Sequence, residues 1–404
     1  MRRRPAAQER LILLAAASSS RRQSSRALAT TLAASLHWGQ LLEALRARRL
    51  LAQLGPPIVE LSQGRVPSRF VRALKEELAR TRRQALLLES VRERLQGALH
   101  RAGVRSLAVK GAALAEALYG DPGRRPASDV DLLVAASDLG PAVVCVRALG
   151  YRRARDHVGA DGLPLLHFSF AHERGELPPV DLHWRVHWYE RDFAADMLRR
   201  SVGREGEVGG RALPADELTS LLLFYARDGF IDLRLAADIG AWWDANGAAL
   251  QRGALAAVLA AYPSLAPALL AAAAVSERIA GLPAAQLLAT GGGVSVRARV
   301  AAALANPNPQ AGNDQLSAEA ALVDWLLTPP GGQREFLRRQ LLPPREVLTA
   351  RARARREHRP SPAGHCARVL ARQGLTLARL TGELSRQAHM SPFSRPRSTS
   401  YSPL

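Results

Sequence analysis

Asp129 and Asp131 frame the tripeptide Asp129-Val130-Asp131, which opens onto the apolar run Leu132-Leu133-Val134. Side chains alternate along a strand, so the two carboxylates project from one face with Cα atoms about 7 Å apart. Carboxylates placed this way can share divalent cations, and two cations about 3.5–4 Å apart stabilise the entering and leaving oxygens of an in-line phosphoryl displacement. Magnesium suits such a donor set, because one or two carboxylates, waters and substrate phosphates satisfy it. A third acid is then needed. Asp181, in Val180-Asp181-Leu182-His183-Trp184, opens another β-capable run, with Leu182 and Trp184 alternating onto the apolar side. His183 shares the acidic face, where a packed or hydrogen-bonding imidazole is its ordinary role. An Asp-x-Asp alone is weak, since solvated acids at strand starts are common, and here the context strengthens it. Lys110-Gly111 lies where a strand passes into a helix, a place where backbone N–H groups and the helix dipole favour a phosphate and glycine lets it approach. Arg125 and Ser128 flank the acids with a planar guanidinium fork and a hydroxyl.

The elements that position these residues follow from periodicity. Leu74, Leu78, Ala85, Leu88, Val91, Leu95 and Leu99 form an apolar stripe that predicts a helix over 70–100, with Gly103 placed to cap it. A short strand at 106–109 leads into Lys110-Gly111 and a helix over 112–119. The turn formers Gly120-Asp121-Pro122-Gly123 then reverse the chain into the strand bearing the paired acids. Ser137 is placed to cap a helix to about residue 149. Strands at 165–171 and 180–186, joined by a turn at 175–179, make a hairpin. Helices resume at Pro214, with Asp216 as expected cap and Leu218, Leu221, Leu222 and Tyr225 on one face. A helix over 233–243 and Ala-rich helical segments continue to about 305. Residues 306–317 read as a loop and 318–327 as a helix. An α/β unit thus sits inside a helical protein.

Composition narrows the rest. The chain of 404 residues carries a formal charge of +20, and arginine supplies every cation except Lys75 and Lys110, a pattern that codon bias explains. Residues 1–50 hold +8 and residues 345–404 hold +9, leaving +3 for the body between them. At 47% hydrophobic and 23% charged residues, wholesale disorder is excluded. Cys145 and Cys366 are too few and too far apart for a disulfide framework or a Cys-based zinc site, which points to a reducing, cytoplasmic setting. No uninterrupted apolar run approaches the ~18 residues of a membrane helix, so no membrane association is expected. Met1-Arg2-Arg3-Arg4 and the apolar run 11–17 imitate a signal peptide, but Gln8, Glu9 and Arg10 intervene and Arg21, Arg22 and Arg26 follow. Residues 1–36 are therefore expected to be a basic, disordered extension or the product of a start codon placed too early. The cluster Arg351, Arg353, Arg355, Arg356 and Arg359 can bind RNA by counterion release. No aromatic residues interleave with it, so a solvated face is expected there and nucleic acid is not expected as a partner.

The segment Val109-Lys-Gly-Ala-Ala-Leu-Ala-Glu-Ala-Leu-Tyr-Gly-Asp-Pro-Gly-Arg-Arg-Pro-Ala-Ser-Asp-Val-Asp-Leu-Leu-Val134 resembles the signature of the uncharacterised nucleotidyltransferase family, within the DNA polymerase β-like nucleotidyltransferase superfamily. Val180-Asp-Leu-His-Trp184 is similar to the family's acidic-Leu-His-Trp element. The span from Leu213 to Asp238 resembles its helical segment. The resemblance extends over roughly 37–380, and its specific part is 109–134. It implies an α/β (α+β) nucleotidyltransferase core with a small mixed sheet, flanked by N-terminal helices and a C-terminal helical domain. It also implies Mg²⁺-dependent transfer of a nucleoside monophosphate from an NTP to an acceptor hydroxyl or phosphate, with pyrophosphate released. Asp129, Asp131 and Asp181 would then bind two metal ions, with Asp181 helping to deprotonate the acceptor. Lys110, Gly111, Arg125 and Ser128 would hold the triphosphate. Most of the wider superfamily has Gly-Ser where this chain has Lys110-Gly111, which implies a different hold on the triphosphate. Family members often lie near peptide natural-product genes, implying a tailoring role on a small-molecule or peptide acceptor.

These readings divide the chain into the extension (1–36), an N-terminal helical segment (37–100), the core (101–190), a helical domain (191–345) and a basic C-terminal helix with a disordered tail (346–404). Two other functions remain open: a catalytically silent nucleotide-binding or scaffold subunit of a biosynthetic complex, and an RNA-binding protein using its basic ends.

Overall fold

A computed structural model describes residues 7–154, 165–201, 209–288, 295–305, 313–354 and 361–389. Its five strands are β1 (Ser106–Ala108), β2 (Val130–Val134), β3 (Tyr151–Arg153), β4 (His167–His172) and β5 (Val180–His183). They form one mixed sheet in the order β1-β2-β5-β4-β3. Only β2 and β5 pair in parallel; β1 with β2, β4 with β5 and β3 with β4 are antiparallel. A parallel pair needs a long crossover, here supplied by the helix Leu139–Ala148 and the β3–β4 hairpin. The 3-residue β3 was not expected from the sequence, its run Tyr151-Arg152-Arg153 being too short and polar to stand out.

Alternation gives the sheet two different faces. Val130, Leu132, Val134, Phe170, Val180 and Leu182 pack with Leu88, Val91, Leu95 and Leu99 of the helix Ser68–Arg101 and with Ala142 and Val146 of Leu139–Ala148. Leu107, Val109 and Leu133 belong to a second, larger core built on the helices Pro214–Arg227, Leu233–Asn246 and Ala266–Ala280. The sheet therefore separates two cores, and the odd-numbered residues of β2 and β5 face the helical one.

The N-terminal expectation is corrected. Residues Ala7–Ala15, Ser19–Ser24 and Arg26–Ala34 are helices, and Leu11 and Ile12 are 0% and 1% exposed. Ser18 N donates to Ala280 O at 2.8 Å, and Ser19 N and Oγ donate to the Asp244 carboxylate at 2.7–2.9 Å. The apolar run that imitates a leader is a core segment, and Gly240 has no side chain at its contact with the backbone of Ala16–Ser18. Residues 1–6 lie outside the described residues.

At the other end the helix Pro362–His389 continues past Ser385, where disorder was expected; residues 390–404 and Arg355, Arg356 and Arg359 lie outside the described residues. A helix, Asn313–Leu327, begins inside the expected loop 306–317, of which 306–312 lie outside. Asp216 is not a cap. Its helix starts at Pro214, and the carboxylate receives two bonds from Arg200, at 2.8 and 3.0 Å. No single helix among the described residues is long and apolar enough to cross a membrane. The segments Ala254–Ala261 and Pro263–Ala280, which together reach that length, meet at 113°, and Leu269, Ala272 and Val275 of the second are fully buried in the core.

Candidate active site

Parallel pairing of β2 with β5 sets Asp131 directly beside Asp181. One strand further, Ser169 pairs with Asp181, and His167 pairs with His183 on the same face. Asp131 is buried, and its Oδ1 receives both Lys110 Nζ at 3.0 Å and His183 Nε2 at 2.9 Å. Burial opposes a charge on Asp131, but Lys110 and the His183 bond outweigh it and hold the carboxyl well below its usual range. Burial pushes His183 down to about 3, so the ring is neutral at pH 7. A neutral imidazole beside a carboxylate must donate from the shared nitrogen, which puts the proton on Nε2 and leaves Nδ1 bare; Nδ1 is buried without a partner.

Asp129 immediately precedes β2. Burial and the charge of Asp131 raise its carboxyl, Lys110 pulls it down, and Asp181 raises it further, so the three acids share one electrostatic field. Gly111 explains how the Lys110-Gly111 turn reaches them. Its φ of +78° is one that side chains disfavour. A Cβ there would also lie 3.6 Å from Asp129 O and 3.7 Å from Asp131 Oδ2. From this turn the helix Ala112–Tyr119 departs, with its N-terminal end against the acids.

The structure thus brings together Lys110, Gly111, Asp129, Asp131 and Asp181. It places Arg125 differently. That side chain is buried, and its Nε donates to Asp238 Oδ2 at 2.7 Å. Tyr119 Oη and Gln53 Nε2 each donate to Asp238 Oδ1 at 2.8 Å. The guanidinium therefore ties the turn before β2 to the helix Leu233–Asn246. Ser128, next to Asp129, is exposed.

Other residues of the site were not picked out by the sequence. His167 Nε2 lies 3.6 Å from Asp181 Oδ2; the hairpin with its period-two alternation is a signal that could have found it. Phe224 stacks near His183 with ring centroids 6.1 Å apart and carries two cations, Lys110 Nζ at 5.2 Å and the Arg227 guanidinium at 4.8 Å from its ring centre. Phe224 and Arg227 sit three residues apart on one helical face, but nothing local marks that face as belonging to the site.

Asp131, Asp181 and His183 offer ligand atoms within 4.8 Å of one another, a group able to hold a metal ion. Asp131 and Asp181 bring carboxylate oxygens to it, and His183, whose Nε2 proton goes to Asp131, has the bare Nδ1 as its nitrogen donor. The two carboxylates are donors that suit magnesium.

The family described as uncharacterised nucleotidyltransferase matches residues 34–281, more than half of the chain. The chain belongs to that family. No curated protein matches it. The matched region takes in the whole sheet, the acid cluster and the helices as far as Ala280. It stops short of the 37–380 span suggested by the resemblance and leaves the C-terminal helices outside.

Proposed function

We propose that this chain transfers a nucleoside monophosphate from an NTP to an acceptor hydroxyl or phosphate and releases pyrophosphate. The observation that carries this reading is the in-register pairing of Asp131 with Asp181, fronted by the Lys110-Gly111 turn. Asp131, Asp181 and Asp129 would hold Mg²⁺, one ion or a pair, which when bound neutralises triphosphate charge and activates the attacking oxygen. The chain's own residues do the rest. His183 fixes Asp131 by occupying Oδ1, so the Oδ2 side stays turned toward Gly111. Gly111 lets a phosphate approach the first N–H groups of the helix that follows. Lys110, whose ammonium rests on Asp131, would turn that charge to phosphate oxygens, and Ser128, next to Asp129, would offer a hydroxyl. Arg125, with its Nε engaged by Asp238, acts by holding the turn before the strand of Asp131 in place. Asp181 accepts the acceptor's proton, with His167 beside it. A reducing, cytoplasmic setting suits an enzyme fed by NTPs.

Pyrophosphate release tests the reading: the full chain is supplied with Mg²⁺, each of the four NTPs and the low-molecular-weight fraction of a cell extract as acceptor source. Release with at least one NTP, abolished in Asp131→Asn, is expected. Binding of NTP without release under any of these conditions would assign the chain to the silent scaffold class instead.

A further inference from the structure

Of the two lysines in the chain, Lys75 is exposed on the helix Ser68–Arg101 and Lys110 lies at the acid cluster. Its ammonium is 3.0 Å from Asp131 Oδ1. It also pulls down the carboxyl of Asp129, against burial and the charges of Asp131 and Asp181. The other partners of these acids are imidazoles, His183 on Asp131 at 2.9 Å and His167 near Asp181 at 3.6 Å. Among the described residues no arginine forms an ion pair with any of the three: Arg125 is spent on Asp238, and Arg227 approaches Asp228. Lys110 is therefore the permanent positive charge against the cluster.

An ammonium in that place does what a divalent cation does there: it neutralises carboxylates crowded by the pairing of β2 with β5. The two charges oppose each other. Like charges a few ångströms apart repel strongly away from bulk water, and the Lys110 and Asp131 side chains are only 20% and 2% exposed. Lysine can yield the place, because its charge is a point on a flexible stem, whereas an arginine fork grips a carboxylate with two bonds. The Phe224 ring, centred 5.2 Å from the ammonium, supports it when it leaves Asp131. Its backbone belongs to the turn of Gly111, from which the helix Ala112–Tyr119 presents its first N–H groups to a phosphate.

We propose that Lys110 and the divalent ion compete for the Asp131 carboxylate, so that the arriving ion drives the ammonium onto the triphosphate. Ion and nucleotide then strengthen each other's binding, since both favour the state in which Lys110 is off Asp131. The nucleotide half rests on the nucleotidyl-transfer reading; the competition with the ion does not.

With two lysines in the chain, ¹³C-lysine labelling of the full protein gives two Cε signals, and Lys75 is the internal control. Mg²⁺ added without nucleotide is expected to shift the Lys110 signal and leave that of Lys75 in place. Lys110→Met keeps the stem and removes the charge. Its affinity for Mn²⁺ without nucleotide, read by paramagnetic resonance, is expected to rise about tenfold. Its affinity for the NTP that the wild type binds at saturating Mg²⁺ is expected to fall about tenfold. A side chain that only braced the fold would weaken both. If the variant misfolds, the labelled wild type decides. A Lys110 signal unmoved by Mg²⁺, or Mn²⁺ affinity unchanged or lower in Lys110→Met, overturns the competition and leaves nucleotidyl transfer standing. Tighter Mn²⁺ binding with NTP affinity unaltered overturns the transfer of the ammonium to the triphosphate. Competition intact in a chain that binds none of the four NTPs would contradict nucleotidyl transfer instead.

Discussion

Asp131 is the residue on which the site turns, since it is the carboxylate that Lys110 and His183 both hold. Replacing His183 with Gln removes a ring and loosens that hold. Metal affinity, read by Mn²⁺ paramagnetic resonance on the full chain, is expected to fall about 10–100-fold, as for other partners that orient ligands; an unchanged affinity would reduce His183 to packing. Arg125 belongs to a different balance. Asp238→Ala leaves its guanidinium buried without its main partner and is expected to cost about 3–5 kcal/mol in urea unfolding. The apolar pair Arg125→Met with Asp238→Leu removes the unpaired charge and should cost less, the remainder coming from Tyr119 Oη and Gln53 Nε2, which lose their acceptor in both cases. The residues legible in the sequence, Lys110, Gly111, Asp129, Asp131 and Asp181, are those whose chemistry is announced by a local motif. Arg125 was legible as a residue but not in its engagement, because its partner lies 113 positions away and only tertiary structure joins them.

At the scale of elements, strong periodicity carried through: the stripe of leucines gave the helix Ser68–Arg101, and alternation gave β2, β4 and β5. Boundaries set by capping logic fared less well, as at Asp216, where an available cation outcompeted the cap. The larger miss was 7–34. A basic beginning followed by a short apolar run has the composition of a leader or a disordered arm, and nothing within the run reveals that Ala266–Ala280 and Gly240 present a surface for it. Deleting residues 1–36 uncovers that surface and removes Leu11 and Ile12, each fully buried. At roughly 1.5–3 kcal/mol per such side chain, the truncated chain is expected to lose more than about 3 kcal/mol or to aggregate. A melting temperature equal to that of the full chain would contradict this.

For the molecule as a whole, the charge of +20 says little about the site, since most of it sits near the two ends while a few cations face the acids. Global pH response is set by buried groups instead. Burial holds His187 at about 3, against about 6.5 in an unfolded chain. Between those values the unfolded chain binds a proton the folded one refuses, so stability is present above 6.5 and is lost as the pH falls. His187→Asn keeps an acceptor for Tyr189 N, which now donates to Nδ1 at 3.3 Å, and removes the titration. From pH 7.5 to 5.5 the wild type should lose about 1 kcal/mol more than the variant, and equal losses in the two would refute the assignment. The central claim, that Asp131 and Asp181 form a magnesium-dependent nucleotide site, is tested most directly by calorimetric titration of the full chain with each NTP, with and without Mg²⁺, in wild type and Asp131→Asn. At least one NTP should bind the wild type with Mg²⁺ and bind roughly tenfold or more weakly when either the ion or the carboxylate is removed. Binding indifferent to both, or no binding by any of the four NTPs, would contradict the account.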